Sequence, residues 1–138
     1  MTDVLDSPEP FVADHIRRFL ETGGRPRPGM NDLLLTTRGR RSGLLRRTAL
    51  VYVPHGGRYL LAASNRGADR HPAWYLNLVA DPEVTVQVGE RSFPARARTA
   101  APGERPALWR LITEAVPGYE DYRAMTGREI PVVVIEPR

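Results

Sequence analysis

The chain has 138 residues, of which 41% are apolar and 26% charged, a composition typical of one globular domain. It has no cysteine, which excludes disulfides, thiolate catalysis and cysteine-ligated metals, and its three histidines are too scattered to predict a metal site. All twenty basic residues are arginine and the net charge is +4, so no lysine is present to act as a general base or Schiff base. The polar, proline-bearing first ten residues do not resemble a signal peptide, and we expect a cytoplasmic protein.

In chain order, residues 1–7 are predicted to be loose. Ser7-Pro8 predicts the start of a helix, whose apolar residues recur at helical spacing up to Gly23-Gly24. A linker over 25–29 follows. Strands are then predicted at 32–37, 48–53, 58–64, 83–88, 92–100 and 131–136. Helices are predicted at 71–79, 102–115 and 119–125.

This order of elements predicts an α+β fold built on about six short, mainly antiparallel strands that close into a small β-barrel with flanking helices. A doubly wound parallel sheet would need a helix after nearly every strand, and the chain does not supply one. The first helix is expected to pack against the barrel. The alternative, that its apolar stripe and Arg17-Arg18 rest on a membrane surface, stays open at this point.

The loop between the first two predicted strands has five arginines within ten residues, together with two glycines. Guanidinium groups and free backbone N–H groups gathered in one loop suit a phosphate or a cluster of carboxylates. Arg40, Arg41 and Arg46 flank Ser42-Gly43 and are the candidate ligands. A merely solvated basic hairpin is the equally supported alternative.

Two further stretches carry candidate binding residues. Ala62, Ala63 and Ser64 end a predicted strand, and such small residues let a flat ligand approach the backbone closely. Trp74 could line a ring-shaped ligand, although core packing in a helix is the more common role for such a residue. Tyr119 and Tyr122 lie three apart on one helical turn, so they form either one wall of an aromatic pocket or a packed face with hydroxyls in water.

Five motifs occur together in one order, at residues 33–43, 62–64, 71–84, 117–122 and 128–134. Together they closely resemble the deazaflavin-dependent nitroreductase family, the F420H2-dependent quinone reductases, over about residues 30–137. The resemblance implies a split β-barrel similar to FMN-binding proteins, and the coenzyme F420. It divides the chain into an N-terminal segment and helix, 1–29, and a split-barrel coenzyme-binding domain, 30–138.

The resemblance also implies roles for individual residues. Arg40, Arg41 and Arg46 would hold the phosphate and oligoglutamate tail of the coenzyme. The residues along the deazaflavin would be Ala62, Ala63, Ser64, Asn65, Ala73 and Trp74. Tyr119 and Tyr122 would face the substrate, and Ser64 or Tyr119 would supply the proton that accompanies hydride transfer.

Some positions depart from the family pattern. Family members often carry lysine where this chain has Arg41 and Asn65, so arginine keeps the charge and asparagine loses it. Some relatives carry tyrosine at Val51 and Val116, and the aliphatic replacements would change the substrate pocket rather than coenzyme binding.

The expected function is therefore hydride transfer from F420H2 to a small electron-poor acceptor such as a quinone, an enone or a nitroaromatic. We expect no metal and no nucleic-acid partner, and either a monomer or a homodimer. Two alternatives remain. One is a split barrel that binds FMN or haem. The other is a non-catalytic module, either a coenzyme carrier or an arginine-rich nucleic-acid binder.

Overall fold

The computed structural model describes residues 4–138. Its four α-helices are α1 (Pro10–Glu21), α2 (Ala73–Ala80), α3 (Arg105–Ala115) and α4 (Gly118–Met125), and one 3-10 turn covers Asn65–Gly67. Its strands are β1 (Val4–Asp6), β2 (Asp32–Arg38), β3 (Leu45–Val51), β4 (Val53–His55), β5 (Arg58–Ala62), β6 (Glu83–Val88), β7 (Arg91–Thr99) and β8 (Val132–Pro137). No helix within residues 4–138 is long and apolar enough to span a bilayer.

All eight strands join one sheet in the order β1-β3-β2-β6-β7-β8-β5-β4. Every pairing is antiparallel except that of β1 with β3. The predicted α+β class and mainly antiparallel sheet are therefore confirmed. The prediction of about six strands in a closed barrel is wrong, because there are eight strands and no pairing within the described residues joins β1 to β4.

The two additional strands have separate causes. The predicted strand 48–53 is interrupted at Tyr52, and β4 leaves it to form a hairpin with β5 across Gly56-Gly57. The segment 4–6 was predicted to be loose, but it pairs with Leu45–Arg47, and Arg47 Nε donates to Asp6 Oδ1 at 2.6 Å. A three-residue strand is too short to show a pattern, and only the exposed edge of β3 gives it a partner. Residues 1–3 lie outside the described residues.

The central strands are apolar on both faces because both faces are covered. Leu33 and Leu35 of β2 enter the main core inside the curved sheet, while Leu34 packs on Ile16 and Phe19 of α1. The first helix thus packs against the sheet, as predicted. In β8, alternate residues likewise face the main core and a second core under α3, which explains its Val-Val-Val-Ile run.

Candidate functional site

A cleft of about 880 Å³ lies where the β2–β3 loop, the end of β5 and the N-terminal halves of α1 and α2 meet. Nine of the candidate residues from the sequence line it together. They are Arg40, Arg41, Arg46, Ala62, Ser64, Asn65, Ala73, Trp74 and Tyr119. Residues distant in sequence are thus gathered in one volume large enough for a cofactor.

The arginine loop is held in a defined shape. Gly39 N donates to Leu44 O at 2.7 Å, and a Cβ at Gly39 would lie 2.8 Å from Ser42 Oγ and 3.1 Å from Leu44 O, so a larger residue here would require the Ser42 side chain to move. Arg38 Nη1 closes the turn by donating to Gly43 O at 2.7 Å. The glycines of this loop therefore serve a tight turn that presents the neighbouring arginines.

Asn77 of α2 anchors the loop to the body of the protein. Its Oδ1 accepts hydrogen bonds from both the backbone N and Nη1 of Arg40, each at 3.1 Å, and its Nδ2 donates to Thr37 Oγ1 at 3.2 Å. Asn77 is buried, and it is not among the site residues predicted from the sequence. A polar residue inside an otherwise apolar helix was the signal available for finding it.

The charge of the cleft is largely uncompensated. Within residues 4–138, no carboxylate lies within ion-pair distance of Arg40, Arg41, Arg46 or Arg70. Arg47, by contrast, pairs with Asp6, and Arg66 lies 3.8 Å from Glu9. Several guanidinium groups that line one cleft and have no carboxylate partner among residues 4–138 favour an anionic ligand with more than one charge.

A second part of the cleft lining is the segment that follows β5. Ser64 is buried, and the next three residues, Asn65, Arg66 and Gly67, all have positive φ, at 49°, 54° and 83°. Two successive non-glycine residues in this region are strained, and such strain is concentrated at functional sites. Asn65 Nδ2 donates to Arg70 O at 3.0 Å, which helps to hold the turn.

His71 and Arg128 were not recognised as site residues from the sequence. His71 lines the cleft, and Arg128 Nη1 lies 3.1 Å from its Nδ1. Burial, followed by the charge of Arg128, lowers the pKa of His71 below its usual value. His71 is therefore neutral at physiological pH.

Aromatic side chains complete the cleft. Trp74 lines the cleft and also packs against the main core. Tyr119 lines the cleft at the start of α4, and burial raises the pKa of its phenol to about 12. A phenol with that pKa keeps its proton at neutral pH and is available as a hydrogen-bond donor.

Four other candidates lie outside the lining. The Ala63 side chain is in the main core, Val51 ends β3 opposite Asp32, and Val116 follows α3. Tyr122 packs on Tyr119, with ring centres 6.1 Å apart, and on the core under α3. None of the four lines the cleft, and the Tyr122 ring contacts the lining through Tyr119.

The N-terminal segment contributes residues that the sequence analysis did not include. Ser7, Pro8, Glu9 and Val12 line the cleft beside the arginine loop. No local pattern could place them there, because the contact depends on the β1–β3 pairing and on the packing of α1.

The lining of the cleft favours an anionic ligand that also carries a ring. Guanidinium groups without a carboxylate partner among residues 4–138 line it, small side chains at the end of β5 allow close approach to the backbone, and Trp74 offers an aromatic surface. Within residues 4–138, no group of three or more metal-ligating side chains could hold a metal ion. Fold and site together define an α+β protein with a cleft for an anionic, ring-bearing organic cofactor.

The chain belongs to the F420H(2)-dependent quinone reductase family, whose model matches residues 11–137. It is 38% identical over 109 residues to the F420H(2)-dependent quinone reductase Rv1261c of Mycobacterium tuberculosis, an alignment that covers 77% of this chain and 73% of the relative. The resemblance stated from the sequence motifs is therefore confirmed.

Two solved structures support the same placement. An F420-H2 dependent reductase, FDR-A, is 40% identical, with a TM-score of 0.70 over 77% of this chain and 94% of that one. A second structure, described as a domain-swapped dimer, is 38% identical, with a TM-score of 0.73 over 94% of this chain and 100% of that one.

Proposed function

We propose that this protein is an F420H2-dependent oxidoreductase that transfers a hydride to a small electron-poor acceptor, with a quinone as the first choice and enones and nitroaromatics as further candidates. The carrying observation is the group of arginines with no carboxylate partner among residues 4–138, which shares one cleft with the small residues at the end of β5 and Trp74. Membership of the quinone reductase family supports the choice of coenzyme and of acceptor.

In this proposal, Arg40, Arg41 and Arg46 bind the phosphate and glutamates of the coenzyme. Arg40 is already fixed by Asn77, so less side-chain freedom is lost on binding there than at the other two arginines. The deazaflavin lies along the wall formed by Ala62, Ala63, Ser64, Asn65, Ala73 and Trp74, with Ala63 contributing backbone only. The bound reduced coenzyme supplies the hydride, and the protein supplies binding, orientation and water exclusion.

Ser64 and Tyr119 are the proposed proton donors. The Ser64 hydroxyl is buried beside the ring wall, and the Tyr119 phenol is held protonated by its burial. Tyr122 packs on Tyr119, and the Val116 carbonyl accepts from the Tyr119 backbone N at 3.2 Å. Tyr122 and Val116 would thus shape the acceptor side through Tyr119, and Val51 remains a predicted neighbour of the acceptor.

We also propose a homodimer. The supporting fact is that a solved relative covering most of this chain is described as a domain-swapped dimer. Light scattering coupled to size-exclusion chromatography measures the mass directly, and a mass of 15.4 kDa across the working concentration range would contradict a dimer.

The binding test removes two unpaired arginines, in the variant Arg41→Ala/Arg46→Ala. We expect F420 to bind roughly 100-fold more weakly, because each lost charge-assisted contact is worth about tenfold. Fluorescence titration measures this, with larger losses at low salt than at high salt. The deazaflavin chromophore without phosphate and glutamates should bind the variant and the wild type alike.

The control is Arg96→Ala/Arg110→Ala, which removes two exposed arginines outside the cleft. An equal loss of F420 affinity in this control would mean that overall charge, and not the cleft, governs binding. Unchanged F420 affinity in Arg41→Ala/Arg46→Ala would overturn the assignment. Titration of the wild type with FMN and haem tests the alternative cofactors in the same assay.

A further inference from the structure

Arg128 lies behind the small-residue wall and makes contacts that no proposed catalytic role uses. Its Nε donates to Ala68 O at 3.0 Å, and its Nη2 donates to Ser64 O at 2.8 Å and to Ala63 O at 3.2 Å. Its Nη1 lies 3.1 Å from His71 Nδ1. One guanidinium thus contacts four positions of a single loop.

These contacts span the left-handed turn. Asn65, Arg66 and Gly67 have positive φ, and Arg128 bonds the carbonyls on both sides of them, at Ser64 and Ala68. A strained backbone persists only where its surroundings over-determine it. The guanidinium therefore serves as a bridge that keeps the turn closed.

The chain around Arg128 reinforces the same loop. Thr126 Oγ1 donates to Asp69 Oδ1 at 3.0 Å. At the end of α4, Met125 lies so close to the turn that a side chain at Gly67 would meet its Cβ at 2.9 Å. The segment 125–128 thus contacts the same turn that lines the cleft.

The contact with His71 fixes a proton position. A guanidinium has only donors, so Nδ1 of His71 must be the acceptor, and the ring proton of the neutral imidazole must be on Nε2. The Tyr75 ring, centred 4.9 Å away, helps to hold the imidazole. His71 lines the cleft, so Arg128 determines which form of the imidazole the cleft contains.

We propose that Arg128 is a positioning residue of the coenzyme site, which holds the wall from Ser64 to Ala68 in its left-handed form and His71 as the Nε2–H tautomer. Arginine is required because three nitrogens in a fixed fork reach separate acceptors, which one ammonium group cannot do. This inference rests on the proposed function only for the identity of the coenzyme. What it says of the backbone of the turn and of the tautomer of His71 does not depend on any ligand.

The test compares wild type with Arg128→Lys, which keeps the charge and removes the fork. Nitrogen NMR of the imidazole rings reports the tautomer. The chain has only three histidines, and His71→Gln assigns the relevant signal. We expect the wild type to show His71 as the Nε2–H tautomer and Arg128→Lys to show a mixture.

F420 should bind Arg128→Lys about tenfold more weakly, because the binding-competent loop is less populated. Arg110→Lys, an exposed position on α3, should match the wild type in both measurements.

The outcomes are separable. A wild-type His71 protonated on Nδ1 would overturn the inference without any variant, so the test survives if Arg128→Lys does not fold. An unchanged tautomer or unchanged F420 affinity in a folded Arg128→Lys would also overturn it. If the wild type fails to bind F420, the proposed function fails, while the tautomer comparison still decides the role of Arg128.

Discussion

Side chains in the cleft divide into those fixed by the protein and those left for a ligand. Asn77 uses its amide oxygen and nitrogen to hold Arg40 and Thr37, whereas Arg41 and Arg46 extend into solvent. A buried amide with both ends hydrogen-bonded is costly to disturb, and an exposed guanidinium is free to bind. Asn77 is therefore a residue that positions others, whereas Arg41 and Arg46 are available to bind a ligand.

The state of Tyr119 gives a prediction at this scale. Burial raises the pKa of its phenol to about 12, and the neighbouring Tyr122 acts in the same direction. In an ultraviolet titration, the difference between wild type and Tyr119→Phe should therefore show one phenol ionising with a midpoint near 12. A midpoint at the ordinary value of about 10 would mean that Tyr119 is exposed to water.

Residue chemistry could be predicted from sequence more readily than side-chain direction. The charge of the loop arginines and the small size of the residues at the end of β5 can be read from the sequence, and most of these residues line the cleft in the structure. The resemblance implies that Ala63 lies along the ring. In the structure the Ala63 side chain enters the main core, whereas Ala62 before it and Ser64 after it line the cleft, because successive residues of an extended chain point to opposite faces. Asn77 and Arg128 act through contacts distant in sequence, which no local pattern reveals.

At the scale of elements, Asp32 connects α1, the 25–29 linker and β2. Its side chain is fully buried, accepts from Arg27 N, Nε and Nη2, and lies 3.3 Å from His15 Nε2. Burial opposes ionisation, but the hydrogen bonds and charge of Arg27, with His15, outweigh it and hold the pKa of Asp32 below its usual value. This carboxylate thus joins the first helix to the sheet.

That lowered pKa sets the sign of an acid dependence. At pH values between the pKa of Asp32 in the folded state and its pKa in the unfolded state, the unfolded chain binds more protons than the folded one. The stabilising contribution of the Asp32 carboxylate is therefore present above about pH 3.9 and is lost as pH falls through the pKa of the folded state. Asp32→Asn should be less stable than wild type by about 1–3 kcal/mol at neutral pH, and the difference should shrink in acid. Urea unfolding measured across that range checks this. A difference that stays constant with pH would show that the charge of Asp32 contributes nothing.

The turn after α1 packs against the β6–β7 hairpin at very close range. Gly24 has φ of +86°, and a side chain there would lie 1.8 Å from the Gly89 carbonyl oxygen. Gly29 has a similar φ of +73°, but a side chain there would have no atom within 4 Å. Substitution of Gly29 therefore measures the backbone strain without the steric clash. We expect Gly29→Ala to cost about 1 kcal/mol and Gly24→Ala more than about 3 kcal/mol in chemical denaturation. Equal losses would mean that the close approach adds nothing to the strain.

At the scale of the whole molecule, hairpins set by local pattern can be predicted from the sequence more readily than pairings between distant strands. The hairpins β4–β5 and β6–β7 follow from glycine-bearing turns between apolar runs, and such turns can be predicted from sequence. The pairings of β2 with β6 and of β8 with both β5 and β7 join strands distant in sequence. The same is true of β1, which brings Ser7 and Glu9 to the cleft. For the pairings of β2, β5, β7 and β8 the informative signal was the motif resemblance, through the split-barrel fold that it implies, whereas the pairing of β1 lies outside the motifs.

Because the cleft draws its walls from α1, the β2–β3 loop, β5 and α2, a ligand that fills it should stabilise the fold as a unit. At about 100 times the Kd, F420 should add about 2.7 kcal/mol and raise Tm by roughly 10 °C. Thermal melts at fixed F420 concentration should show this shift falling as salt rises, since the arginine contacts are screened. The chromophore without phosphate and glutamates should give a smaller shift with little salt dependence. A salt-independent F420 shift would place the binding energy on the ring wall and leave the unpaired arginines without a role.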